Sequence, residues 1–515
     1  MERAMAGIVS RFRSAANALT PINQLPPEIL CEVFFHLRPA IRRGSKQSRP
    51  ARAPFDDLLA VTHTCQRWRV TAIAAAELWS QLIARDPRKN FDDMTRLFIS
   101  RSGELPLDAD LGYRLAVVAP HAHRLRTLSC RGCLIDDFSN LSNRPVPLLE
   151  TLHILPHDYF DSENPPLPTL FNRDSPSLRE LAVNGYNPFP NNCFSGLSSF
   201  HLRLSSGDVG LTFWTPLLAT LRDSPQLEEL FLHVGAVFNY TTSAQDIPAP
   251  AILHALQKLH LRGTPSSMTR RLLNLIDLAP NGIAMQFTNI TPELDWMFPP
   301  TLPLELSLHA VTSLEIIYVS GRGLIIQGTN PGMRIRIAEL SNSDAVYAEI
   351  FSRLVARPSL QFSLRELWIH VERKKEYKLP SLSGFPHLEK LVVRVTTNGN
   401  PIHRLLRMLD VDANTGHVPC PLLSTLDLSG VLGMLFLLKV LGARSKAGCR
   451  LERLRLGKAH VVMGGIVMIQ LQDYVNELEL FDADVEPCGM ELPAVCMTEL
   501  GEWWEPWTKH EVGFL

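Results

Sequence analysis

The sequence lacks a net charge of either sign: 51 Lys plus Arg face 52 Asp plus Glu. No global field therefore selects nucleic acid or an anionic membrane, and any charge-driven partner has to be met by a local patch. Long apolar runs are missing too. The longest, residues 431–441, is about half what a bilayer crossing needs and contains Lys439, so it is expected to be a core segment. The nine cysteines, scattered from Cys31 to Cys496, are odd in number and follow no hydrophobic signal sequence. The expected compartment is a reducing cytoplasm or nucleus, where the sequon-like Asn239-Tyr240-Thr241 and Asn289-Ile290-Thr291 carry no meaning.

Catalytic motifs are equally scarce. Neither GxxxxGK[ST] nor GxSxG occurs, and Gly321-Arg322-Gly323 is too short for a dinucleotide loop. Cys130-Arg131-Gly132-Cys133 has no second cysteine pair to complete a zinc or redox site, and His121-Ala122-His123 has no carboxylate or thiolate company. The expectation is a protein that is not an enzyme and takes no cofactor or metal. An enzyme with residues dispersed over loops is the remaining alternative.

Apolar material, by contrast, is ample. Hydrophobic residues make up 45% and charged residues 20% of 515, enough for several domains or one elongated repeat array. Residues 1–20 read as a short leader. Their Arg3, Arg11 and Arg13 against the single acid Glu2 also fit, loosely, a mitochondrial presequence. From Pro21 the chain runs Pro-Ile-Asn-Gln-Leu25-Pro26-Pro27-Glu28-Ile29-Leu30 and on to Leu37. Two prolines suit a helical first turn, Glu28 suits its positive end, and Ile29, Leu30, Val33, Phe34 and Leu37 recur at helical spacing. Residues 38–54 interrupt the pattern with six basic residues and no acid, the composition of an inserted loop. Periodicity resumes from Phe55 through Cys65, Trp68, Arg69, Ala72 and Ile73 to Leu78-Trp79.

The Leu-Pro-x-Glu-Ile-Leu start, the Cys-x-x-Trp-Arg element and the Leu-Trp pair together resemble the F-box family over residues 21–83, with the basic insert of the F-box-like variety common in fungi. The resemblance implies binding to the adaptor subunit of a cullin-RING (SCF-type) ubiquitin ligase. Leu25, Pro26, Ile29, Leu30 and Phe34 would form the contact, while Trp68, Leu78 and Trp79 would mostly hold the module together. The alternative is a set of amphipathic helices that only cap the remainder of the chain.

That remainder is built on a repeated phrase. It stands as Leu125-Arg-Thr-Leu128-Ser-Cys130, Leu149-Glu-Thr-Leu152-His-Ile154, Leu178-Arg-Glu-Leu181-Ala-Val183, Leu227-Glu-Glu-Leu230-Phe-Leu232 and Leu256-Gln-Lys-Leu259-His-Leu261. It returns as Leu364-Arg-Glu-Leu367-Trp-Ile369, Leu388-Glu-Lys-Leu391-Val-Val393, Leu423-Ser-Thr-Leu426-Asp-Leu428, Leu451-Glu-Arg-Leu454-Arg-Leu456 and Val475-Asn-Glu-Leu478-Glu-Leu480, with weaker copies near Phe200 and Leu314. Counting the copy at Phe200, the central leucines from 128 to 259 and from 367 to 478 lie 19 to 35 residues apart, bracketing a leucine-rich-repeat period of roughly 20–29. In each copy alternate apolar residues would point inward from a short strand. Stretches such as 272–278, apolar at helical spacing, would line the convex side.

This resembles the leucine-rich-repeat family over about residues 120–482, and the combination resembles F-box/leucine-rich-repeat proteins, although the Asn expected after the last strand leucine is missing from almost every copy. The expected fold class is α/β. A short all-α F-box-like module (21–83) leads through a connecting segment (84–120) into a leucine-rich-repeat solenoid (121–482), with parallel strands on its concave face and helices or irregular segments on its convex face. A tail, 483–515, with Trp503, Trp504, Pro506 and Trp507, is expected to cover the last repeat, or else to expose an aromatic patch. The implied function is a substrate adaptor of the ligase; a non-catalytic scaffold is the alternative. Repeat register places His153, His201, Arg203, Phe231, His233, His260, Arg262, Trp368, His370 and Arg394 on the concave face, with Asp427 and Glu479 later. The substrate-binding expectation rests on all of these from His201 to Arg394, which suit an acidic or phosphorylated protein substrate; neither nucleic acid nor membrane is expected as a partner.

Overall fold

The computed structural model describes residues 2–38, 56–84, 91–112, 115–155, 165–189, 191–204, 211–234, 250–263, 272–278, 283–288, 311–319, 323–329, 333–337, 358–371, 382–395, 401–430, 433–457, 465–482, 494–497 and 504. The basic insert and most of the tail lie outside these residues. The class is α/β with largely parallel strands. The chain divides into two compact units, Met1–Leu227 with Leu500–Trp503 and Glu228–Glu499 with Trp504–Leu515.

The first unit opens with helix Glu2–Ala18, where the sequence suggested only a leader. A 3-10 turn, Pro21–Gln24, leads into helix Pro27–Phe35. Pro27 stands in the first turn, where a missing N–H costs nothing, and Glu28 faces the positive end. Helices Asp56–Thr64 and Gln66–Ala74 follow, then the turn Ala76–Trp79. Cys65 caps the second of these helices, its Sγ accepting from the Trp68 amide at 3.5 Å.

Leu30, Trp68, Leu78 and Trp79, among the residues that carry the family resemblance, pack with Phe34 inside the module. The Trp68 ring lies 5.3 Å from that of Phe34, and its Nε1 donates to Asn23 Oδ1 at 2.6 Å. Trp79, fully buried, donates to the Ala72 carbonyl at 2.7 Å and meets the edge of Phe98 at 4.8 Å. Trp79 thus buries its apolar body while its N–H keeps a partner, and the half-buried Trp68 also keeps its N–H paired.

Six parallel strands complete this unit: β1 (Gln81–Ala84), β2 (Leu107–Leu111), β3 (Leu125–Arg131), β4 (Thr151–Leu155), β5 (Glu180–Asn184) and β6 (Ser199–Leu204). They pair in chain order and in phase: Ala109 faces Leu128, then Leu152, Leu181 and Phe200 follow in one row. The weak copy at Phe200 is therefore a full member. Strands β1 and β2 precede the first copy of the phrase; Leu107, Ala109 and Leu111 show the same alternation with too few leucines to be recognised.

The second unit contains β7 (Glu229–Val234), β8 (Ala251–Leu253), β9 (Lys258–Arg262), β10 (Ile276–Leu278), β11 (Ala284–Thr288), β12 (Ser313–Val319), β13 (Gly323–Thr329) and β14 (Met333–Ile337). It ends with β15 (Glu366–Val371), β16 (Lys390–Val395), β17 (Thr425–Ser429), β18 (Leu451–Gly457) and β19 (Val475–Phe481). Its sheet runs β7-β9-β11-β14-β13-β12-β15-β16-β17-β18-β19. All neighbours are parallel except β12-β13-β14, an antiparallel meander inside the parallel order.

Chain length dictates that exception. Only residues 320–322 and 330–332 join these strands; so short a link connects antiparallel neighbours, whereas a parallel crossover needs a dozen residues or more. Of Gly321-Arg322-Gly323, only Gly323 lies among the described residues, where it opens β13.

The stretch 272–278, read from sequence as helical, is helical only at 272–275; it ends in β10, which pairs in parallel with β8. Pairing with β8 gives residues 276–278 the backbone partners that a helix would otherwise supply. Helices Pro401–Leu409, Met434–Lys446 and Gly465–Gln472 fill the connections before β17, β18 and β19 and pack successively on one another. The middle one is the apolar run of the sequence, with Leu437, Val440 and Leu441 buried.

That helix also buries Arg444, 1% exposed, whose Nη1 and Nη2 donate to the carbonyls of Pro419 and Cys420 at 2.6 and 2.8 Å. Burial lowers the guanidinium pKa. The charge is retained because two loop carbonyls, one on Cys420 at a left-handed φ of 47°, need donors there. Arg444→Met, which keeps volume and removes the donors, is expected to cost about 2–5 kcal/mol; the chemical-denaturation midpoint checks it.

Candidate interaction surfaces

Helix Pro27–Phe35 divides the five residues expected at the adaptor contact. Leu30 and Phe34 point into the module and are 0% and 1% exposed; Leu25 is half-buried; Pro26 and Ile29 are exposed. The Arg67 guanidinium donates to the Leu25 carbonyl at 2.5 Å, tying the Leu-Pro turn to the second motif. Ile29, Val33 and Leu37, four residues apart, leave a continuous apolar stripe at 48%, 40% and 38% exposure. Val33 and Leu37 extend the expected contact and were visible in the helical spacing.

The expected substrate face consists of the sheet positions that alternate with the buried leucines. His201, Phe231, His260, His370 and Arg394 are buried there; Arg203, His233, Arg262 and Trp368 are half-buried. Each of four histidines on this face has a polar neighbour. His153 Nε2 lies 3.0 Å from Glu180 Oε1, His201 Nε2 lies 2.8 Å from Ser199 Oγ, and His260 Nε2 lies 2.8 Å from Thr288 Oγ1. His370 Nε2 lies 2.8 Å from Glu315 Oε1, both side chains nearly sealed from solvent.

The arginines are largely neutralised. Arg394 lies 3.9 Å from Asp427 and 4.6 Å from the Phe481 ring centre, while Arg455 spans from Asp427 (3.0 Å) to both oxygens of Glu479 (3.0 and 3.1 Å). In-phase pairing makes this chain of charges: Asp427 faces Arg455, which faces Glu479. Arg203 and Arg262 differ, since among the described residues no ion pair reaches either side chain.

From the tail, Trp504 is fully buried on this face. Its ring stacks on Phe231 at 5.7 Å, meets the edge of His260 at 6.2 Å and lies 5.7 Å from Lys258 Nζ. Trp504 therefore occupies β7 and β9, at the opposite end of this unit's sheet from β19; Trp503, Pro506 and Trp507 lie outside the described residues.

Cys130 and Cys133 are adjacent and buried; burial first, then the hydrogen bond to Cys133, pushes the Cys130 thiol well above its usual value. Cys133 Sγ donates to the Gly112 carbonyl at 3.0 Å, and the Tyr186 hydroxyl donates to the Cys133 carbonyl. These thiols are packed as core groups. Among the described residues, no group of three or more His, Cys, Asp or Glu is arranged to hold a metal ion, and no helix is long and apolar enough to cross a membrane.

Asp427 holds two arginines at once, so Asp427→Ala is expected to cost about 3–5 kcal/mol, against a small change for Glu479→Gln at the exposed end of the chain of charges. The hydrogen bond from Arg455 holds the Glu479 carboxyl below its usual range. Its contribution is thus complete above the ordinary carboxylate pKa and lost as pH falls through the lowered one. Denaturant midpoints across acidic pH check both, since Glu479→Gln should remove that acid-dependent part. Comparison with known proteins finds no matching family model and no curated protein that matches this chain.

Proposed function

We propose that the chain is the substrate-recognition adaptor of a cullin-RING ubiquitin ligase of the SCF type, working in the cytoplasm or nucleus. Its helical module would bind the adaptor subunit, and its leucine-rich repeats would hold a protein substrate. One observation carries the reading: motif residues Phe34, Trp68 and Trp79 form the module's core, while Pro26, Ile29, Val33 and Leu37 remain as an apolar stripe. Such a stripe loses water favourably only by meeting a partner. No chemistry is required of this chain, because ubiquitin transfer belongs to other subunits of such a ligase.

The in-phase leucine rows, buried from Leu128 to Leu181 and from Leu367 to Leu454, support the leucine-rich-repeat reading. For an acidic or phosphorylated substrate the candidate cations are Arg203 in the first unit and Arg262 in the second, because the other cation expected in the second unit, Arg394, already has an acidic partner.

Leu25→Ala with Pro26→Ala is expected to abolish co-purification of the adaptor subunit while circular dichroism stays unchanged. Unaltered capture, or no capture by the unmodified chain, would overturn the reading in favour of a scaffold whose helices only cap the sheet. Arg203→Glu with Arg262→Glu is expected to weaken substrate capture about tenfold at low salt, with a smaller effect at high salt.

A further inference from the structure

Helix Glu2–Ala18 has an apolar side that nothing described covers. Met5, Ile8, Val9, Phe12 and Leu19, just past its end, are all exposed, Phe12 at 73% and Leu19 at 79%. At 3.6 residues per turn these positions fall within an arc of about 100°. Arg11 and Arg13, both exposed, stand at its two margins, and the opposite side carries Gly7 and Asn17. The helix is anchored to the module at one end, where Asn23 Nδ2 donates to the Asn17 carbonyl at 2.7 Å.

Local charge says what covers this face. The helix carries Arg3, Arg11 and Arg13 against the single acid Glu2, and residues 2–55 contain nine basic residues against Glu2, Glu28 and Glu32, in a chain whose net charge is -1. A protein groove would be met by a narrow stripe of anchors; a wide apolar arc with an arginine at each margin suits a flat boundary between water and lipid. There the apolar side chains enter the acyl region and the arginine heads rise to the headgroups.

We infer that helix Glu2–Ala18 binds peripherally to an anionic lipid bilayer, lying in its surface without crossing it. This departs from the expectation of no membrane partner, because near-zero net charge conceals a strongly basic end. Helix insertion supplies the apolar part of the affinity, and the basic residues select anionic headgroups. Neither requires the ligase reading to hold.

The test is flotation of the full chain with vesicles of phosphatidylcholine alone or with about one third phosphatidylserine. At least tenfold stronger binding to the anionic vesicles is expected, falling as salt rises. Phe12→Glu should reduce that binding at least tenfold, and Arg11→Glu with Arg13→Glu should bring it down to the level on neutral vesicles. Both variants should keep adaptor co-purification, which separates this result from the fate of the ligase reading, and their circular dichroism checks the fold. Equal binding to both vesicle types, no binding, or indifference to Phe12→Glu overturns the inference. So does recovery of the chain inside mitochondria with its first residues removed, which would make the helix an import signal.

Discussion

In-phase parallel pairing of the repeated phrase is the constraint from which most of this structure derives. A strand has a period of two, and neighbouring strands lie about 4.8 Å apart. Once Leu128, Leu152 and Leu181 face one another, every other position is aligned as well. One face of each sheet becomes rows of apolar residues and the other becomes rows of whatever the intervening positions hold. Like charges stacked at that spacing would repel, so the second face is stable only if its polar groups complement one another along the row. Asp427, Arg455 and Glu479 on successive strands do so.

The same constraint explains why so many residues expected to meet a substrate serve the fold instead. His201, His260 and His370 are exposed in an isolated strand, but Thr288 and Glu315 come within reach of His260 and His370 once strands are aligned, while Ser199, two residues back on the same strand, pairs with His201. Trp504 completes the pattern by covering Phe231 and His260, an aromatic seat that a distant part of the chain can fill. The positions best suited to an outside charged partner are Arg203 and Arg262, half-buried and outside the chain of charges around Asp427.

At the N-terminal end the logic is reversed. The helical module is too small to bury both sides of its helices, so its tryptophans and Phe34 close one core and leave Ile29, Val33 and Leu37 outside. The preceding helix exposes Met5, Ile8, Val9 and Phe12. Both exposed apolar faces therefore belong to the part of the chain in which basic residues cluster.

The sequence by itself determined what depends on local spacing. It located the helices at Pro27 and Gln66, the strands at nearly every copy of the phrase, the weak members at Phe200 and Leu314, and the alternation that separates leucine positions from polar ones. These were legible because helical and strand periods are written in neighbouring residues. Strand order was not. That β13 and β14 run back between β11 and β12 comes from loops too short to cross over, yet which strands they join depends on pairings between distant residues. The burial of the histidines, the Asp427 chain of charges and the seat of Trp504 were likewise decided only in the folded molecule. Each is a contact between residues some 24 or more positions apart, except the His201 bond to Ser199, and a side chain's partner across a sheet is set by register and strand order, which no single segment contains.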